Sequence, residues 1–592
     1  MNIVKSILLS CVCLTCAHAA NAFDLRIDVD ADDTLASTVR SASAIATASA
    51  ESVTATDEII AAVQADYRNI LGALYRAGYY GPTISIQVDG REGASLSLIS
   101  LPPKVETVVV SITSGPRFSF GDTQVTPLAA GTLLPPAFSR GSPALAPLVG
   151  AAKDAAIDAW REASHAKAAL KSQSIVANHP KSELDVALSV DPGPAATFGT
   201  LEVEGDSAVP ARRIRKIAGV PEGVAFTPEY VDLAARRLQR TGTFRSVTLR
   251  EADELNADNS LDITATVVDE KDNRIGYGAE ISSLEGATLS SYWIDRNLTH
   301  DADRLRIDAE IAGLGGSTGI DYSLGASYRR PATFNPKYTA LLNASVARLD
   351  EPDYRSDTGE FTFGVDVEAS RSSEVSASLG YRYSDVTDAL GSRKFNHIIV
   401  PLNGARDTRD NRLDPKGGTY LNAEIMPFFG VNGSASGTHI VADGRTYFTF
   451  GETDGVTLAA RAQIGSVIGA QLAQTPPDLL FFSGGGGTVR GQPYHALGVP
   501  VGTDTTGGTS FLGLSGELRA KITNKIGLVG FYDLGAIGAD ALPASNADWH
   551  AGAGLGFRYN TGFGPIRVDV AAPVSGDTGE GIQLYVGIGQ AF

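Results

Sequence analysis

Alternation of apolar and polar residues with period two dominates the second half of the chain. Leu305, Ile307, Ala309 and Ile311 interleave with Arg304, Arg306, Asp308 and Glu310, and Phe361, Phe363, Val365 and Val367 interleave with Thr362, Gly364, Asp366 and Glu368. Each run reads as a strand with one apolar and one polar face. Alternation alone fits a soluble sandwich as well as a membrane barrel. The number of runs decides between them: about sixteen follow residue 271, from 274–283 through 394–404 to 581–592, most of roughly 9 to 12 residues, the length a tilted strand needs to cross a bilayer. An even count brings both ends of a closed barrel to one side and leaves no unpaired backbone in lipid. In the last run Ile582, Leu584, Val586, Ile588 and Phe592 share a face, which is expected to be the lipid side, although Gln590 interrupts it.

Before residue 271 the apolar spacing is helical. Ile59, Val63, Tyr67, Ile70, Leu71 and Leu74 define one amphipathic helix, and Val231, Ala234, Ala235 and Leu238 define another. An alanine-rich helix is expected over 151–169 and a strand over 184–190. The run from Gly115 to Gly121, GPRFSFG, returns 78 residues later as GPAATFG from Gly193 to Gly199, so the region is an array of repeats. Strand, two helices and two strands, with a glycine before the penultimate strand, resembles the POTRA domain. Three copies fit, at 23–114, 115–192 and 193–271, with the stretch 31–56 a loose helix or a linker. The predicted fold class is therefore α+β repeats followed by an all-β antiparallel barrel of sixteen strands over 272–592.

Composition changes this picture in three places. An apolar fraction of 43% and a mean hydropathy of −0.01 exclude a bundle of membrane helices, while 64 glycines against 2 methionines suit strands and turns. A net charge of −18 without Lys/Arg clusters argues against nucleic acid as a partner. Residues 1–22, with Lys5, an apolar run and small residues up to Ala22, read as a secretory signal peptide that contains all three cysteines, Cys11, Cys13 and Cys16. The mature chain then has no thiol for catalysis, disulfides or zinc.

The candidate site is the run GGGGTVRG, 484–491, between the eleventh and twelfth strand segments. Glycines on both sides of Val489 and Arg490 let the backbone approach other backbone, which suits a loop tucked into a cavity. With both chain ends on the periplasmic side, this is the sixth outer loop. On the thirteenth strand stands Phe531-Tyr532-Asp533-Leu534-Gly535, with Phe531 and Asp533 on the inward face. An arginine in a partly desolvated lumen needs a carboxylate, and a two-pronged guanidinium contact would fix the loop in one pose.

These motifs, with Asp407-Thr408-Arg409 and Gly564-Pro565-Ile566-Arg567-Val568-Asp569, resemble those of the POTRA-barrel outer-membrane assembly and two-partner-secretion superfamily. In that superfamily the sixth loop folds into the lumen with a Val-Arg-Gly-aromatic tip whose arginine meets the aspartate of Phe-x-Asp-x-Gly. The resemblance implies a lock made of Val489, Arg490, Gly491, Phe531, Asp533 and Gly535, although Gln492 stands where the aromatic is usual. Three repeats resemble the TamA-like branch, the translocation and assembly module. That implies a bacterial outer-membrane location, a TamB-like partner spanning the periplasm, and client barrel proteins such as autotransporters. A two-partner-secretion pore, a general barrel-assembly factor and a passive porin are the alternatives.

Pairing of the first strand (274–283) with the last (581–592) would close the barrel. Gly276 and Gly278 on one side, and Gly587 and Gly589 with Phe592 on the other, make this a candidate seam. No cofactor, metal or enzymatic chemistry is expected. Gly315-Gly316-Ser317-Thr318-Gly319 matches a nucleophile elbow only formally, because it falls in a hairpin, and the glycine run lacks the Lys-Ser/Thr of a phosphate loop.

Overall fold

The computed structural model describes residues 23–30, 33–97, 101–282, 286–315, 319–370, 372–451, 455–523, 525–542, 546–562, 564–579, 581–590 and 592. The segment 1–22 read as a signal peptide, and 316–318 of the formal elbow, lie outside them. The chain divides into two compact units, one of Met1–Thr200, Pro221–Tyr230 and Ala252–Asp262, the other of Leu201–Val220, Val231–Glu251 and Ile263–Phe592.

The first unit holds two complete α+β layers. Its first sheet has the order Asp24–Val29, Thr107–Thr113, Thr83–Val88, Arg91–Glu92, with the first pair parallel. The helix Thr56–Arg76 buries Ile59, Ile60, Val63, Ile70 and Leu74, the stripe its 3.6-residue spacing dictates, in the same core as Val108 and Val110 of the sheet. The stretch taken as a loose helix or a linker is two helices, Asp33–Ala42 and Ala44–Ala50. Asp66, fully buried, explains the second of them: its carboxylate accepts from Ser43 Oγ at 2.6 Å, Ala44 N at 2.6 Å and Ile45 N at 3.1 Å. Ser43 Oγ caps Ala46 N locally at 3.0 Å, and the remaining donors at that helix start are met by a side chain more than twenty residues downstream.

In the second layer Ser119–Thr126 runs parallel to Glu183–Asp191, which pairs antiparallel with Ala169–Asn178. Here the helix is Ala146–Glu162, not 151–169, and Ala169 opens a strand. One helix stands where the repeat pattern called for two, because Pro127, Pro135, Pro136 and Pro143 interrupt the preceding stretch. A third sheet, Thr197–Glu204, Ser260–Asp269, Phe244–Glu251, has the boundary between the two units running through it.

The 78-residue repeat has a common physical cause. Gly115 and Gly193 both hold left-handed φ, 69° and 65°. Gly121 and Gly199 each leave room for a carboxylate: a Cβ there would stand 2.2 Å from Asp185 Oδ1 and from Asp262 Oδ1, respectively. Those same oxygens accept from Asp122 N at 2.8 Å and from Thr200 N at 2.7 Å.

In the second unit the helix Ala211–Ala218 and, from Val231 on, the helix Pro228–Arg240 reach the turns of the large sheet. Arg213 donates to the carbonyls of Asp301 (2.9 Å), Ala332 (3.1 Å) and Pro331, and Arg237 pairs with Glu368 at 2.9 Å. Gly219, at φ 65°, closes the first of these helices where a Cβ would strike Pro336.

The large sheet is antiparallel, and seventeen hydrogen-bonded segments follow one another in chain order from Asn273–Ser282 to Gln583–Ile588. They make sixteen strands, because Gly391–Ile399 and Leu402–Asp407 are two halves of the eighth: both pair with Ser373–Asp388 on one side and Gly418–Gly430 on the other. Pro401, which has no N–H for the ladder, sits at the break. Leu324, Val346, Phe361, Leu528, Tyr532, Leu584 and Val586 are exposed on the outer face, while Phe531, Asp533, Arg519 and Glu517 are buried on the inner one. This is the lipid-out, polar-in alternation of a transmembrane barrel.

The end of the sheet departs from expectation. The last strand spans Gln583–Ile588, not 581–592, and its described pairing is with Gly564–Ser575 alone. Among the described residues no ladder joins it to Asn273–Ser282. Gly589, at φ 89°, lets the chain turn away from the strand line, and its N–H donates to Pro565 O at 2.7 Å. Gln590 then donates to Asp414 Oδ1 and accepts from Arg558 Nε. Phe592 is not on the lipid face. It is 6% exposed, packed with Tyr447 and Ala459, and its carbonyl accepts from Arg519 Nη2 at 2.9 Å. Inner-wall packing with a guanidinium 5.5 Å from the ring outcompetes a place in the strand.

Candidate functional site

The loop that carries the glycine run leaves Val456–Ile468 and re-enters the sheet at Ser510–Lys521. Its arms are tied by a reciprocal bridge between Phe481 and Gly508, by another between Ser483 and Leu497, and by the hairpin Val499–Val501 with Asp504–Thr506. Ser483 Oγ meets His550 Nε2 at 2.8 Å, whose Nδ1 meets Thr578 Oγ1 at 2.8 Å. Both imidazole nitrogens are thus engaged by hydroxyls; this chain of hydrogen bonds pins the loop base to the wall and lacks the carboxylate orienter of a triad.

The tip lies within the barrel. Gly484, Gly485 and Gly491 hold φ of 119°, 87° and 95°, which an L side chain resists. Val489 is fully buried and Arg490 is 3% exposed. The Arg490 guanidinium forms a fork with Asp533, Nε to Oδ2 at 2.7 Å and Nη2 to Oδ1 at 3.0 Å, while its backbone N–H reaches Oδ2 at 3.1 Å. Nη1 donates to Glu517 Oε1 at 2.7 Å and lies 3.4 Å from Asp569 Oδ2. The guanidinium carbon stands 3.6 Å from the centroid of Phe531, so the ring covers one face of the cation.

The wall is shaped to admit backbone. A Cβ on Gly552 would be 1.9 Å from Arg490 O, and one on Gly491 would be 2.6 Å from Ala572 O. Gly491 N donates to Tyr585 Oη at 3.0 Å, which ties the tip to the last strand. Gln492, which stands at the usual aromatic position, is fully buried: its Nε2 donates to Ala551 O (2.8 Å) and Ser575 O (3.1 Å), and its Oε1 accepts from Thr578 Oγ1 (2.9 Å). An amide that satisfies both ends replaces ring packing with directional bonds.

The structure thus brings Val489, Arg490, Gly491, Phe531, Asp533 and Gly535 into one patch. Glu517 belongs to it and was not among the sequence candidates; its place on the inward phase of the twelfth strand, with Ser515 and Arg519, was the available signal. Asp569, quoted only within a motif, is the third carboxylate of the patch and also pairs with Arg558.

The candidate seam glycines are distributed differently. Tyr292 lies over Gly276, where a Cβ would sit 2.4 Å from its ring, and Arg306 lies 4.6 Å from the same ring centroid. Gly278 faces Ser290, Gly587 approaches Arg567, and Gly589 makes the inward turn described above. Asp407 and Arg409 pair with each other by two bonds of 2.8 Å over the face of Tyr420, on the turn whose Asp414 meets Gln590.

Against known proteins, the description "Omp85 superfamily domain" matches residues 297–592, half of the chain. The fold is similar to that of BamA from Haemophilus ducreyi lacking POTRA domains 1–3, with a TM-score of 0.57 and 14% identity over 79% of this chain and 98% of that one. CdiB from Escherichia coli matches with a TM-score of 0.48 and 15% identity over 80% and 90%, and CdiB from Acinetobacter baumannii with 0.49 and 12% over 79% and 89%.

Proposed function

The chain belongs to the Omp85 superfamily, and from that premise we propose that it is a TamA-like outer-membrane assembly and translocation factor that helps insert or secrete barrel proteins such as autotransporters. In this proposal the three α+β sheets are POTRA domains ending near 114, 192 and 271. They stand in the periplasm, dock a TamB-like partner, and hand clients to a gate between the first and last strands. The Arg490–Asp533 patch is the lock that keeps the sixth loop in one pose while the wall beside it moves.

One observation carries the proposal: the last strand is paired over only Gln583–Ile588, after which the chain turns inward, so the side of Asn273–Ser282 that faces away from Gly286–Asp295 has no ladder partner among the described residues. An open edge in lipid leaves backbone donors and acceptors unmet, which strand addition from a client would satisfy. The mature chain has no cysteine of its own, so Ile275→Cys with Val586→Cys, both on the outer face, tests the gate by crosslinking in cells. Locked barrels should fail to assemble an autotransporter reporter and recover on reduction. Locked barrels that work as well as unlocked ones would exclude the gate. Continued secretion of a soluble two-partner substrate through a locked barrel would move the chain to the secretion-pore alternative.

A further inference from the structure

At the rim where the first strand begins, the helix Pro228–Arg240 and the turns of strands three to six line a pocket of about 110 Å³. Its lining carries five cations, Arg237, Arg240, Arg304, Arg329 and Lys337, against two carboxylates, Asp366 and Glu368. That balance is the reverse of a chain whose net charge is −18. The carboxylates are already engaged: Glu368 accepts from Arg237 at 2.9 Å and Arg240 at 3.4 Å, and Asp366 faces Arg329 at 3.4 Å.

Arg304 is left over. Half-buried at the start of Arg304–Leu314, its side chain has no hydrogen bond or ion pair with any described residue, and the charges that face it belong to Arg329, Arg306 and Arg296. A partly desolvated guanidinium among other guanidiniums is unfavourable unless an anion joins it. A pocket of this volume admits a small group. Several planar forks converging from different elements suit a tetrahedral oxyanion, the recognition mode in which arginine exceeds lysine. We propose that this cavity binds a phosphate group, held by Arg304 with Arg329 and Lys337, at the level where the strands enter the bilayer. Two sources share that chemistry, inorganic phosphate and a phospholipid headgroup.

The test uses the full-length protein in a maltoside detergent free of phosphate. Calorimetric titration with inorganic phosphate should show one site in the wild type, at least about tenfold weaker in Arg304→Gln, as expected for loss of a charge-assisted contact. Arg304→Lys, which keeps the charge, should retain part of the affinity and serves if the glutamine variant does not fold. Native mass spectrometry after reconstitution with phosphatidylglycerol assigns the source: retained lipid in the wild type, lost in Arg304→Gln, means a headgroup, whereas phosphate binding without lipid retention means the free ion. Absence of both, or equal binding by wild type and variants, overturns the site.

Discussion

Gly535 leaves the space that Val489 fills: a Cβ on Gly535 would stand 2.8 Å from Val489 Cγ2 and 2.2 Å from Ser483 Oγ. The glycine of the strand motif and the valine of the loop motif are therefore the two halves of one contact. Gly535→Ala should push the loop tip off the wall without removing any charge. The expected outcome is protease cleavage within the loop between Ile468 and Ser510 that the wild type resists, with the barrel itself intact. Unchanged cleavage would mean that the ionic patch alone holds the tip.

Arg490→Ala removes the only loop cation from a patch of three buried carboxylates, Glu517, Asp533 and Asp569. Breaking a buried pair from one side costs on the order of 3–5 kcal/mol, because the remaining charge stays desolvated. Thermal unfolding in detergent should fall accordingly, and Asp533→Asn should cost less than Arg490→Ala. A double-mutant cycle between the two should give a coupling well above the roughly 1 kcal/mol of an exposed pair.

Arg213 saturates three carbonyls on two barrel turns. Arg213→Ala is predicted to speed amide exchange in Ala211–Ala218 and at 332–333 while leaving exchange in Gly391–Ile399 unaltered. Equal rates in variant and wild type would show that the remaining contacts, Arg237 with Glu368 among them, suffice.

Asp66→Ala withdraws the acceptor from three donors at the start of Ala44–Ala50. Loss of a buried cap of this kind costs roughly 1–3 kcal/mol. The expected outcome is earlier unfolding of the first sheet's unit, seen as cleavage near residue 43 at a temperature where the barrel is unaffected.

Much of the barrel was legible in the sequence because its rule is local. A strand in lipid must alternate, so the sixteen segments and the inward phase of Phe531 and Asp533 follow from neighbours two apart. The eighth strand was also found, but its break was not argued from Pro401, although a residue without an N–H inside a ladder is itself a signal. What stayed hidden depends on distant partners. The start of the helix Ala44–Ala50 rests on Asp66, and the single helix of the second layer reflects prolines spread over the segment before it. Apart from Gln590 the tail beyond Ile588 continued the phase of the last strand to Phe592, yet Tyr447, Ala459 and Arg519 offered Phe592 a better place than the strand did.

The paired glycine and aspartate at Gly121–Asp185 and again at Gly199–Asp262 have one more consequence. Each of these two fastenings begins and ends inside its own 78-residue period, although Asp191, at the end of one period, accepts from Gly193 N of the next at 3.1 Å. A change of length by one whole period would leave each of these half-buried carboxylates with its donor, whereas a cut between the glycine and its aspartate would separate the two.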